Sequence, residues 1–314
     1  MYPAKGLFHK AVAESGSNVS GISKADATRV AETMLARLNL KPNQIDELQK
    51  LPFQPLVTAM VGTGGRGRGG AAGINAGGLN FGPVVDGKNL PAGPFDPAAS
   101  ALSASVPLLC GTTEEEVTFA RGTPLDDMDD AALRDQLKRT VRADDAAVDR
   151  LMAAYRKGRP NISNIDLSLI LASDNSFRQG VLTMAERKAA ATQAPVYMYY
   201  FTWKSPVRDG KLKAFHTLEI PFVFENVDLA TAMTGAGQER YALQDRMSLA
   251  WTNFARTGNP NAKGLPEWPA FDTTRRATMI IDNDWKVAND PNGEERRELN
   301  AVRTSARQTA SNGH

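Results

Sequence analysis

Apolar positions along the 314-residue chain recur with two periods, one helical and one extended. Between Ser23 and Leu40, the side chains of Val30, Met34, Leu35 and Leu38 fall on one helical face. Ser23 is suited to cap that helix, with Asp26 three residues on. The same spacing predicts a helix over residues 143–157, with Val148, Leu151, Met152 and Tyr155 facing inward. It predicts another from Leu167 to Ala191, interrupted near Ser173–Ser176. A long helix over residues 240–257 should end at Gly258, with Pro260 just beyond. Short apolar runs read as strands at Val106–Cys110, ended by Gly111, at Val196–Trp203 and at Thr278–Asp282. Residues 6–17 run from a helix-like stretch into a short strand ending at Ser15-Gly16. Residues 62–82 are glycine-rich and read as a loop, closed by a turn over Phe81–Gly87. The polar tail after Asp290 is expected to fray.

Strands alternating with helices predict an α/β fold with a mostly parallel sheet. The strands are few for this length and are separated by helical insertions, so part of the sheet is expected to be missing. Hydrophobic residues make up 42% and charged residues 23%, enough to build a buried core. A net charge of +2 gives no electrostatic argument for nucleic acid or an acidic membrane surface. No apolar run reaches membrane-spanning length, and the first residues lack the pattern of a signal peptide. Cys110 is the single cysteine, so neither an internal disulfide nor a cysteine-based zinc site is expected, and the compartment stays open.

Two positions could carry chemistry. His216 lies between a polar loop and the apolar run Ile220–Phe224, whereas His9 is expected to face solvent and His314 is the last residue. A histidine in such a place reads first as a loop or core residue held by one hydrogen bond. To act as a base it needs a carboxylate to fix its tautomer and a nucleophile within reach. Glu114, Glu115 and Glu116 directly follow a buried strand, where active-site groups of α/β folds gather. Acidic residues at a helix N-terminus are the plainer reading of that triplet. Gly62-Thr-Gly64-Gly-Arg-Gly67 matches the dinucleotide-binding fingerprint by letter, but no strand precedes it and no helix follows. The arginine–glycine run from Arg66 to Gly70 is one short instance without interleaved aromatics, and it reads as a solvated loop. The pattern Gly-x-Ser-x-Gly, which places a serine nucleophile on a strained strand-to-helix turn, does not occur in the 314 residues.

Five segments, in order, resemble the type B carboxylesterase family, which includes the cholinesterases. They are Ala4–Ser17, Phe81–Gly87, Val106–Gly111 with the acidic run to Glu116, His216–Phe224, and Trp251–Asn261 followed by Trp268–Phe271. The resemblance implies the C-terminal portion of an α/β-hydrolase fold over residues 1–290, its N-terminal strands missing, followed by a polar tail over 291–314. It implies that Glu116 is the triad acid, His216 the base, and Ser15 a supporting residue that hydrogen-bonds the acid. Glu219 would order the loop after His216. Val117 stands where the family usually has glycine, which bears on whether Glu115 or Glu116 is the acid. The nucleophile elbow of the family would lie about two dozen residues before the serine matched by Ser15, hence roughly a dozen before Met1.

The implied activity is hydrolysis of carboxylic esters through a Ser-His-Glu triad. This chain supplies the acid and base without the nucleophile and is expected to be inactive alone. No cofactor and no metal are implied. The partner is a small-molecule ester, and self-association through an exposed sheet edge is expected. Alternatives are a non-catalytic scaffold of the same fold and a subunit that complements a separate N-terminal half.

Overall fold

A computed structural model describes residues 4–16, 18–61, 81–118, 123–191 and 193–312. Side chains within the last helix are described to residue 305. The chain forms two compact units. One comprises Met1–Leu7, Asn18–Ser103 and Ala120–Thr123, and the other Phe8–Ser17, Ala104–Phe119 and Pro124–His314. The glycine-rich segment, with its dinucleotide-like and arginine–glycine runs, falls at residues 62–80, outside the described residues.

The elements in chain order are β1 (Ala11–Glu14), β2 (Ile22–Ser23), α1 (Lys24–Arg37), α2 (Phe53–Val61), β3 (Val84–Val85) and β4 (Leu108–Thr113). Next come α3 (Asp130–Val141), α4 (Asp145–Gly158), α5 (Asn164–Ser173), α6 (Gln179–Ala190) and β5 (Val196–Phe201). They end with α7 (Ile220–Val223), α8 (Thr231–Thr234), α9 (Glu239–Thr257), β6 (Ala277–Ile281), β7 (Lys286–Asn289) and α10 (Gly293–Asn312). In the first unit, Ser23 caps α1 by accepting from the Asp26 N–H, and β2 pairs with β3 in parallel.

The second unit is built on a five-stranded sheet in the order β1-β4-β5-β6-β7. Its first four strands are parallel, and β7 pairs antiparallel with β6. All six residues of β4 and of β5 are buried, as expected of inner strands covered on both faces. Tyr197, Tyr199 and Phe201 project from one face of β5 into a cluster with Leu243, Met247, Trp251 and Phe254 of α9. On the other face, Tyr200 meets Arg178, and α6 packs against β4 and β5.

Several expectations are corrected by these elements. Residues 6–10 leave a turn at Gly6, which takes a left-handed conformation (φ 80°), and continue through bends and irregular backbone rather than a helix. Strand β4 does not stop at Gly111 but runs through it to Thr113. A Cβ at Gly111 would lie 2.4 Å from both the ring and the carbonyl oxygen of Tyr199, so glycine is what allows β4 and β5 to approach. The interruption expected near Ser173–Ser176 is present, as a π-helical turn (Asp174–Arg178) between α5 and α6. Residues 114–118 are bends and turns, not the helix N-terminus that the acidic triplet suggested. The expected fraying tail instead carries α10, which packs on α4 and buries Leu299 and Val302.

Candidate active site

Strand β4 delivers Glu116, buried to 1% exposure, to the carboxyl end of the sheet. Its Oε1 accepts from the Thr113 backbone N–H at 2.9 Å and from Ser15 Oγ at 2.5 Å. Ser15 directly follows β1, and its N–H donates to the Gly111 carbonyl oxygen at 2.9 Å. Its backbone is left-handed (φ 59°), a turn that ends β1 beside Glu116. Both of these donors fall on Oε1, and Oε2 faces the imidazole.

The other oxygen, Oε2, lies 2.6 Å from His216 Nδ1. An ionised carboxylate only accepts, and against Oε2 a neutral imidazole carries its proton on Nδ1. The His216 side chain keeps 28% of its surface exposed, while Phe215 and Leu218 beside it are buried in the core. Thr217 has φ 72°, a conformation β-branched residues rarely adopt. Strain of this kind persists where surrounding packing over-determines a residue, here the buried neighbours of His216.

Thus the three residues expected to meet, Ser15, Glu116 and His216, lie within hydrogen-bond reach in one chain of contacts. The neighbouring carboxylates are engaged elsewhere. Glu115 accepts from the Ala214 N–H at 3.0 Å and pairs with Lys204, which also binds Glu114. Burial pushes Glu115 up to about 7 against the pull of the Lys204 charge. Burial also acts against ionised Glu114, but Lys204 and Arg159 outweigh it and hold the group below its usual range.

Beyond Glu116, Glu219 is buried and accepts from the Tyr199 hydroxyl at 3.2 Å. Burial, and then the Glu116 charge, push Glu219 up to about 8. Its Oε2 has no hydrogen-bond partner among the described residues, which fits a protonated acid. Glu14 accepts from the Trp251 indole N–H at 2.8 Å, and burial raises it. Residue types alone hid other members of the site. Phe177 packs its ring against His216, and Ser173 Oγ accepts from the Val117 N–H at 3.3 Å. The only trace of them in the sequence was the helix interruption.

A mostly parallel sheet with an acid–histidine pair at its carboxyl rim defines a hydrolase-like α/β protein. Residues 2–299 match the model of the carboxylesterase family, and the chain belongs to that family. It is 31% identical over 306 residues to the para-nitrobenzyl esterase of Bacillus subtilis (strain 168), spanning 95% of this chain and 58% of the relative. It is 28% identical over 296 residues to the phenmedipham hydrolase of Pseudarthrobacter oxydans, spanning 91% of this chain and 57% of that protein. A carboxylesterase structure from Geobacillus stearothermophilus superimposes with a TM-score of 0.71 at 30% identity, covering 94% of this chain and 59% of that one. The chain therefore spans rather more than half the length of these relatives. Among the described residues, no helix is long and apolar enough to cross a membrane.

Proposed function

We propose that this chain supplies the acid and the base of a serine carboxylesterase, Glu116 and His216, with Ser15 holding the acid from behind. The carrying observation is the 2.6 Å contact between Glu116 Oε2 and His216 Nδ1. In the proposed reaction a serine attacks the ester carbonyl, and His216 Nε2 takes the serine proton and returns it to the leaving alcohol. Glu116 holds the ring in the required tautomer and stabilises its charged form. Family membership and esterase relatives support the ester as substrate. Gly-x-Ser-x-Gly is absent from the 314 residues, so the nucleophile comes from outside them.

The 314-residue chain by itself is then expected to hydrolyse a nitrophenyl ester no faster than its His216→Ala variant. Hydrolysis that is abolished by a serine-directed fluorophosphonate and by His216→Ala would place a nucleophile within the chain and overturn that part of the reading.

A further inference from the structure

His216 sits in a segment of strained backbone. Lys213 (φ 56°) and Thr217 (φ 72°) stand on either side of it, both left-handed and neither of them glycine. Such backbone persists where surrounding contacts over-determine it. Between the two, Ala214 is held at both of its backbone groups by a single residue, Glu115. The Glu115 N–H donates to the Ala214 carbonyl oxygen at 3.0 Å, and Glu115 Oε2 accepts from the Ala214 N–H at 3.0 Å. Thr118 Oγ1 adds a bond to the Leu212 carbonyl oxygen at 2.6 Å. The acid turn and the base segment are thus joined through their main chains, one residue before Glu116 and two before His216.

The Glu115 side chain is itself fixed. Lys204, in the segment after β5, donates to Glu115 Oε2 at 2.6 Å and also pairs with Oε1 of the same group. Lys204 pairs with Glu114 as well, so it keeps a partner whatever stands at position 115. Glu115 is only 2% exposed. A carboxyl group buried this deeply is tolerated when paired, and it adds little net stability over an apolar residue of the same size. What such a group can supply is a fixed arrangement of the parts it joins.

We propose that Glu115 is a positioning residue: it locks the backbone ahead of His216 to the backbone ahead of Glu116, so that imidazole and acid meet in register. This inference rests on the assignment of His216 as the base. The 2.6 Å contact between Glu116 Oε2 and His216 Nδ1 then depends on a third residue that touches neither side chain's reacting atoms. The essential feature of residue 115 is an acceptor aimed at the Ala214 N–H, which a buried donor needs in any case.

The tautomer of His216 in variants of the full chain tests it, read from proton–nitrogen correlations at a pH where the imidazole is neutral. Only three histidines are present, and His216→Gln identifies the signal. Glu115→Ala removes the acceptor for the Ala214 N–H, whereas Glu115→Gln retains one. Wild type and Glu115→Gln should carry the proton on Nδ1. Glu115→Ala should lose that preference, although Glu116 and His216 are both present. Glu115→Met, which fills the volume without such an acceptor, replaces Glu115→Ala should the latter fail to fold. A folded Ala or Met variant with the wild-type tautomer overturns the role of Glu115 and leaves the Glu116–His216 pair intact. A wild-type His216 without its proton on Nδ1 overturns the pair itself. Whichever variants fold, the Ala214 amide of the wild-type chain should exchange slowly with solvent, and fast exchange there overturns the hold of Glu115 on it.

Discussion

Three elements converge on one carboxyl group: the turn after β1 through Ser15, the end of β4 through Thr113, and the segment after β5 through His216. Removing one donor shows what each contributes. Ser15→Ala takes a hydrogen bond from a buried carboxyl group and should cost about 1–3 kcal/mol in urea unfolding. A change within error would mean that the bond does not form in solution. Glu219 gives a pH-dependent test. Its carboxyl group ionises at 4.5 when unperturbed but keeps its proton up to about 8 in the folded chain. Between those values the folded state binds the extra proton. The stability from this group is therefore full below the unfolded value and is lost as pH rises through the folded one. Glu219→Gln cannot ionise, so its melting temperature relative to wild type should rise from about pH 5 to about pH 9. A difference that stays constant over that range contradicts the assignment. At this scale Glu116, His216 and Ser15 were singled out by the resemblance of their segments to the family, not by residue type, and the structure brings the three side chains within hydrogen-bond reach. Phe177 and Ser173 were hidden, because their contacts with the site span helices distant in sequence.

Elements were legible where periodicity was strong. The inner face expected of α4, Val148, Leu151, Met152 and Tyr155, is the buried face. Gly258 ends α9 in the left-handed conformation that glycine favours. What misled was the local sign of single residues. Glycine at 111 reads as a stop but is demanded by the close approach of Tyr199. Gly111→Ala should therefore destabilise the chain at the upper end of the roughly 1–3 kcal/mol typical of overpacking, or prevent folding. A melting temperature equal to wild type would contradict the tight packing of β4 on β5. The polar composition after Asp290 suggested a loose tail, yet Leu299 and Val302 anchor it. Leu299→Ala should cost about 2–5 kcal/mol in chemical denaturation, as for a core residue. A loss of a few tenths would return the segment to the status of a tail.

At the scale of the whole molecule, alternating strands and helices were enough for the α/β class and the mostly parallel sheet. They could not reveal the small parallel pair β2–β3 or the outer strand β7, whose two to four residues are too short to show a period. Most of the account depends on the proton between Glu116 and His216, since the proposed chemistry requires the base nitrogen to be Nε2. Two-bond proton–nitrogen correlation spectra of the neutral imidazole read that proton directly. The account predicts a protonated Nδ1 and a lone pair on Nε2 in the wild-type chain, with that preference lost in Glu116→Ala. A wild-type His216 protonated on Nε2, or a tautomer indifferent to residue 116, would contradict it.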